Sequence, residues 1–156
     1  MDKTQIDELI QFLQKYELSI ATLYETFASV LLLSRNVWMA FADEERLHAQ
    51  WINTLHAHLK NEKISFEQTK FTVQSVKTAI EYIEYQIDRT KKNKTDLKQA
   101  INIAINIEKS LLESAFFKVF KLSGGSKAQN IKARLEEATK SHLERFIEWQ
   151  ESTTKA

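Results

Sequence analysis

Apolar residues recur along most of this chain at intervals of three and four, the spacing that gathers side chains on one face of an α-helix. The first stripe runs Ile6, Ile10, Leu13, Ile20, Phe27 and Leu31. It predicts a helix that starts around Thr4-Gln5-Ile6-Asp7 and ends near Leu33. A polar break from Ser34 to Asn36 supplies N-cap residues for a second helix, which carries Trp38, Phe41, Ile52, Leu55 and Leu59 and fades near Lys60. Ser65-Phe66-Glu67-Gln68 has the form of a capping box. It predicts a shorter helix through Phe71, Val76, Ile80, Ile83 and Ile87 that decays into the polar, basic stretch from Asp88 to Lys94. Thr95 or Asp96 caps a third long helix with Leu97, Ile101, Ala104, Leu111, Ala115 and Val119 on one face, ending at Ser123-Gly124-Gly125. Ser126 and Gln129 open a fourth, with Ile131, Leu135, Ala138, Phe146 and Trp149 inward.

Four long amphipathic helices imply an all-α, four-helix bundle. Tight turns after the first and third long helices make each pair antiparallel. Between Lys60 and Thr95 lie 34 residues, the short helix among them, enough to carry the chain the length of a bundle before the third long helix begins. The segment therefore reads as a long crossover connection.

Composition narrows the picture without changing it. With 156 residues, 43% of them hydrophobic, the chain supports one core, so residues 1–156 are expected to form a single domain. There is no proline and there are only two glycines, which removes the turn chemistry a sheet protein needs. Twenty-two basic residues against 21 acidic ones, with no strongly basic face beyond the Lys91, Lys92, Lys94 run, argue against a nucleic-acid partner. The absence of cysteine excludes disulfides and thiolate chemistry. No segment approaches the length of a membrane span and the amino terminus lacks a signal pattern, so a cytoplasmic protein is expected.

The chemistry lies in the polar residues that interrupt the stripes. The first helix runs Ile10, Leu13, Glu17, Ile20, Tyr24, Phe27; the second runs Trp38, Phe41, Glu45, His48, Ile52. The third runs Ile101, Ala104, Glu108, Leu111, and the fourth Leu135, Thr139, His142, Phe146. Glu108 and His142 are each 17 residues from Gly125, so a hairpin folding there sets them level, and Glu17 and His48 similarly straddle the break near Ser34. Three carboxylates and two imidazoles are thus expected to meet in an apolar core. A buried ionised carboxylate costs several kcal/mol unless paired or bound to a cation. Carboxylate and imidazole ligands without thiolate suit iron, manganese or zinc.

These residues resemble the ferritin-like superfamily, and within it the rubrerythrin-type four-helix domain. Glu17 with Tyr24 resembles the family's first-helix glutamate and its neighbouring tyrosine, and Glu45-Arg46-Leu47-His48 resembles its Glu-x-x-His motif. Glu108 stands at the third-helix glutamate and His142 at the fourth-helix histidine. The long crossover agrees with a ferritin-like connection. The resemblance implies one or two non-haem iron ions held by Glu17, Glu45, His48, Glu108 and His142, with Glu45 and Glu108 bridging or flanking them. It implies peroxidase, ferroxidase or oxygenase chemistry on peroxide or dioxygen, and Tyr24 hydrogen-bonding a ligand carboxylate. Where the family has a fourth-helix glutamate this chain has Thr139, and Glu136 and Glu137 are rotated off His142's face. Three carboxylates balance two divalent ions incompletely, so the second ion is expected to be weak, completed by water or an anion, or absent. A complete rubrerythrin also carries a cysteine-ligated iron domain; without cysteine, redox turnover here needs an external electron donor.

Two other readings compete with an iron oxidoreductase. In one, the carboxylates share protons and pair with charged His48 and His142 in a relict or mononuclear site, and the bundle serves as a non-enzymatic interaction or regulatory module. In the other, less favoured, the chain stores iron in a shell. His56 and His58 read as surface or boundary residues, Glu25 and Glu113 as solvated, and the Lys91 to Lys94 run as a solvated loop. Trp38, Trp51 and Trp149 read as core or subunit contacts, in keeping with a homodimer.

Overall fold

A computed structural model describes residues 2–59, 64–66, 72–113, 120–122 and 127–155. The described chain is all-helical apart from two three-residue strands. The helices are α1 (Lys3–Val30), α2 (Arg35–Leu59), α3 (Val73–Lys91), α4 (Leu97–Glu113) and α5 (Lys127–Thr154); the strands are β1 (Ile64–Phe66) and β2 (Phe120–Leu122).

Local chemistry explains most boundaries. Asp2 caps α1 through a reciprocal capping box with Gln5, slightly earlier than the expected start. The helix stops at Val30, and a 3-10 turn over Leu32–Ser34 leads directly into α2. Thr72 and Ser75 form the capping box of α3, so this helix begins at Val73 and not at Ser65, where the strand β1 lies instead. Asp96 and Gln99 cap α4 in the same reciprocal way, with both bonds at 2.8–2.9 Å. Between α3 and α4 the chain turns at Asn93, whose φ of 56° is a left-handed value that asparagine tolerates. Lys91, Lys92 and Lys94 are exposed there, and Lys92 pairs with Asp88, in keeping with a solvated turn.

The expected extent of the third long helix needs correction. Residues 120–122, read as its last turn, are extended and pair antiparallel with β1, Ile64 opposite Leu122 and Phe66 opposite Phe120. Ile64-Ser65-Phe66 and Phe120-Lys121-Leu122 each alternate apolar and polar, the period of a strand. Phe71, Ala115, Val119, the Ser123-Gly124-Gly125 break and the Ser126 cap lie outside the described residues, as do the side chains of Leu111 and Glu113.

The stripes become the core. α1 packs on α2 and α3, α4 on α5, and α2 on α5. Ile6, Ile10, Leu13, Ile20 and Phe27 of α1 meet Trp38, Phe41, Ile52 and Leu55 of α2, and Ile101, Ala104, Leu135 and Phe146 join the same cluster. The segment read as a plain connection does more than connect. Val76, Ile80 and Ile83 of α3 are buried in the common core, so α3 is a structural member. No single helix among the described residues is long and apolar enough to cross a membrane.

Candidate metal centre

Glu17 and Tyr24 lie seven residues apart on α1, Glu45 and His48 three apart on α2, and Thr139 and His142 three apart on α5, spacings that hold each pair on one helix face. With Glu108 of α4, these side chains interrupt the apolar stripes, and all seven are buried. No charged side chain among them is more than 5% exposed.

Glu45 is the hub. His48 Nδ1 donates to its Oε2 at 3.1 Å, and His142 Nδ1 donates to its Oε1 at 2.8 Å. His142 Nδ1 also lies 3.4 Å from Glu108 Oε1, which accepts from the Tyr24 hydroxyl at 3.1 Å. The two imidazoles stand 4.9 Å apart. Glu17 reaches the group through Glu45, while its Oε2 is buried without a partner. One ligand atom from each of Glu45, His48 and His142 falls within a 4.8 Å span.

The aromatic residues form the walls. Phe41 meets His142 edge-on at 5.2 Å and stacks on Phe146 at 4.0 Å. Tyr24 packs against Trp38 and Phe146, and His48 stacks on Trp51. Thr139, in the place of the expected fourth glutamate, donates its hydroxyl to the Leu135 carbonyl at 2.9 Å.

Two residues of this network were missing from the sequence reading. His142 Nε2 faces Glu44 Oε2 at 3.2 Å, and Arg145 Nη1 bonds both Glu44 oxygens at 2.9 Å. Glu44 thereby fixes the ring of His142 with Nδ1 turned inward, and Arg145, 4.4 Å over the Phe41 ring, fixes Glu44. Their signal was an acidic residue beside Glu45 and a basic residue three after His142, which gains meaning only once α2 and α5 are known to touch. The remaining histidines sit apart: His56 pairs with Asp7 at 2.7 Å on the α1–α2 boundary, and His58 is half-buried. Glu25 is half-exposed and paired with Arg46, while Glu136 lies near Lys140.

No protein-family model matches the chain, and no curated protein or solved structure matches it significantly.

Electrostatics divides the carboxyls into two kinds. Burial, reinforced by the charge of Glu45, raises Glu17 well above the ordinary carboxyl range and Glu108 to about 8. Burial pushes Glu45 the same way, but hydrogen bonds from His142 and His48 outweigh it and hold Glu45 ionised, well below its ordinary value. Burial disfavours charge on His142, yet hydrogen bonds to Glu108, Glu44 and Glu45 raise it to about 12. His142 and Arg145 draw Glu44 down to about 2. Tyr24 is raised by burial and by Glu108. At neutral pH the His142 cation thus stands between ionised Glu45 and ionised Glu44, and Glu17 and Glu108 carry protons.

These residues fit a divalent cation. Ligand atoms held at about 2.1 Å by one octahedral ion lie about 3 Å apart. One donor atom from each of Glu45, His48 and His142 falls within 4.8 Å, a span that a small inward shift brings to that of one ion's ligands. Two imidazoles and one carboxylate are a ligand set that suits divalent iron, and a buried carboxyl oxygen without a partner is what a cation would satisfy. The buried Glu45–His48–His142 group can hold a metal ion.

Proposed function

We propose that this chain is a ferritin-like, rubrerythrin-type protein that binds non-haem iron and acts as an oxidoreductase on peroxide or dioxygen. The observation that carries the reading is the convergence of Glu45, His48 and His142, buried and within 4.8 Å, with Glu17 and Glu108 beside them. Support for the four-helix architecture comes from the packing of α1 on α2, α4 on α5 and α2 on α5, with α3 in the crossover.

In this reading Glu45, His48 and His142 hold the first ion. Glu17 and Glu108 release their protons to take part in a second, weaker position, where Thr139 offers a short hydroxyl in place of a carboxylate. Manganese and zinc suit the same donors. Bound iron supplies one-electron redox chemistry and Lewis acidity. The protein orients its ligands through Glu44 and Tyr24, and the rings of Phe41, Phe146 and Trp38 exclude water from that side. Reduction of peroxide consumes two electrons, which an external donor delivers to a chain without cysteine. Exposed Leu32, Leu33 and Val37 beside the α1–α2 turn support a homodimer.

The test is elemental analysis of protein purified without chelators. Near-stoichiometric iron in the parent, lost in Glu45→Ala and in His142→Ala, is the expected result. A parent free of metal, with no uptake of added iron, overturns the reading.

A second reading is a non-enzymatic module with a relict or mononuclear site. Its support is that Glu45, His142 and Glu108 already satisfy one another with hydrogen bonds and shared protons. A parent without metal, in which Glu45→Ala is clearly less stable in metal-free buffer because buried His142 loses its counter-charge, would favour it.

A further inference from the structure

Besides the face it turns to the core, α2 carries a second apolar stripe. Leu33, in the turn that leads into the helix, is followed by Val37, Ala40, Glu44, Leu47 and Trp51 at alternating intervals of four and three. That alternation averages about 3.5 residues, the a/d repeat of a coiled-coil seam. Leu33 and Ala40 are exposed, Val37 and Leu47 are 43% and 41% exposed, and Trp51 is half-buried. Single apolar residues on a surface need no explanation, whereas a stripe along about five turns of one helix does. It lies on the side of α2 that borders α5. Arg145 binds Glu44 there, and Val37, Phe41, Arg145 and Trp149 line a cavity of about 250 Å³ between the two helices.

We infer that this stripe is the interface between two copies of the chain, joined through antiparallel α2 helices. The spacing fixes the register. Leu33 and Trp51 lie nine residues either side of Ala42, Val37 and Leu47 five, and Ala40 and Glu44 two. A two-fold axis beside Ala42 therefore sets Leu33 against the partner's Trp51, Val37 against the partner's Leu47 and Ala40 against the partner's Glu44, the a-to-d layers of an antiparallel pair.

Charge selects the direction. A parallel pair would press Glu44 against the partner's Glu44 at the middle of the seam, two like charges in contact. The antiparallel pair meets each Glu44 with the small side chain of Ala40, and Arg145 already neutralises that carboxylate from the α5 side. Shape agrees with charge: the partner's Leu47, opposite Val37, faces the cavity and fills it as a knob fills a hole. This seam rests on the homodimer of the proposed function and is independent of its iron. It also runs over Glu44, the carboxylate that orients His142, so the partner covers the outer side of the buried cluster.

Sedimentation equilibrium of the full chain should show a dimer. Leu47→Glu and Val37→Glu, at exposed positions of the stripe, should each weaken it at least about tenfold by placing unpaired charges in the seam. Leu18→Glu, at an exposed position on α1, should leave it unchanged. The chain lacks cysteine, so introduced thiols report the register. A short bis-maleimide should join chains carrying both Val37→Cys and Leu47→Cys into covalent dimers. Val37→Cys alone, about 15 Å from its symmetry mate along the seam, should stay unjoined. Efficient coupling of Val37→Cys to itself, or a dimer that survives both glutamate substitutions, overturns this seam and leaves a homodimer through another face. A monomeric parent overturns the seam and the homodimer together, while elemental analysis judges the iron reading apart from either.

Discussion

Stability of the metal-free protein should fall as pH rises from mildly acid to mildly alkaline values, the reverse of what ordinary surface carboxylates would give. Glu108 binds its proton up to about 8 in the folded chain and releases it near 4.5 when unfolded. Over that interval the folded state holds more protons, so each pH unit removes up to about 1.4 kcal/mol of stability. From pH 5.5 to 8, Glu108 alone accounts for a loss of about 3 kcal/mol, a large part of the 5–15 kcal/mol typical of a domain. Glu17, also raised, acts in the same direction, and His142 adds to the loss above its ordinary value of 6.5. Glu44 and Glu45 are lowered and act oppositely: their contribution is present above 4.5 and vanishes as the solution is acidified below it. The optimum should therefore lie near pH 4.5, where the two opposing pairs of carboxyls cancel. Urea unfolding of chelator-stripped protein across this range measures it, and with a slope near 2 kcal/mol/M the midpoint should drop by at least about 1.5 M between pH 5.5 and 8, the share of Glu108 alone. Glu108→Gln, which keeps the shape and removes the titration, should flatten the curve and be more stable than the parent at the alkaline end. A midpoint independent of pH, or a Glu108→Gln curve parallel to the parent's, would refute the assignment of protons to the buried cluster.

Metal binding at pH 7 should release one proton from His142, rising to three when Glu17 and Glu108 also engage; calorimetry in buffers of different ionisation enthalpy counts them, and zero release contradicts the proposed ligands. Thr139→Glu should raise the occupancy of a second ion, read by elemental analysis; tight binding of two ions by the parent would show that the missing carboxylate is unimportant. Ile83→Ala should cost about 2–4 kcal/mol in urea unfolding, because this fully buried side chain ties α3 into the core, whereas a mere connecting segment would lose almost nothing.

The residues that broke the apolar stripes were legible from spacing alone. Glu17, Glu45, His48, Glu108, Thr139 and His142 are all buried because helical period decides which side a residue faces whatever its chemistry. Less legible was anything set by contact between distant elements. The β1–β2 ladder joins segments 56 positions apart in register at Ser65 and Lys121, and each strand is too short to leave a periodic signal. Capping at Thr72 was hidden by the competing capping-box form at Ser65. Glu44 and Arg145 read as surface charges until α2 meets α5. Thr139 shows the reverse case: its position was readable, and its hydroxyl's commitment to Leu135 was not.

Glu45 and His48 come from the first half of the chain, Glu108 and His142 from the second, and the bonds joining them cross the seam where α2 meets α5 and Tyr24 meets α4. Neither hairpin owns a finished nest for an ion. An ion held there would therefore recognise only the closed molecule and would act as a rivet between two halves that otherwise share a seam centred on protons and charges.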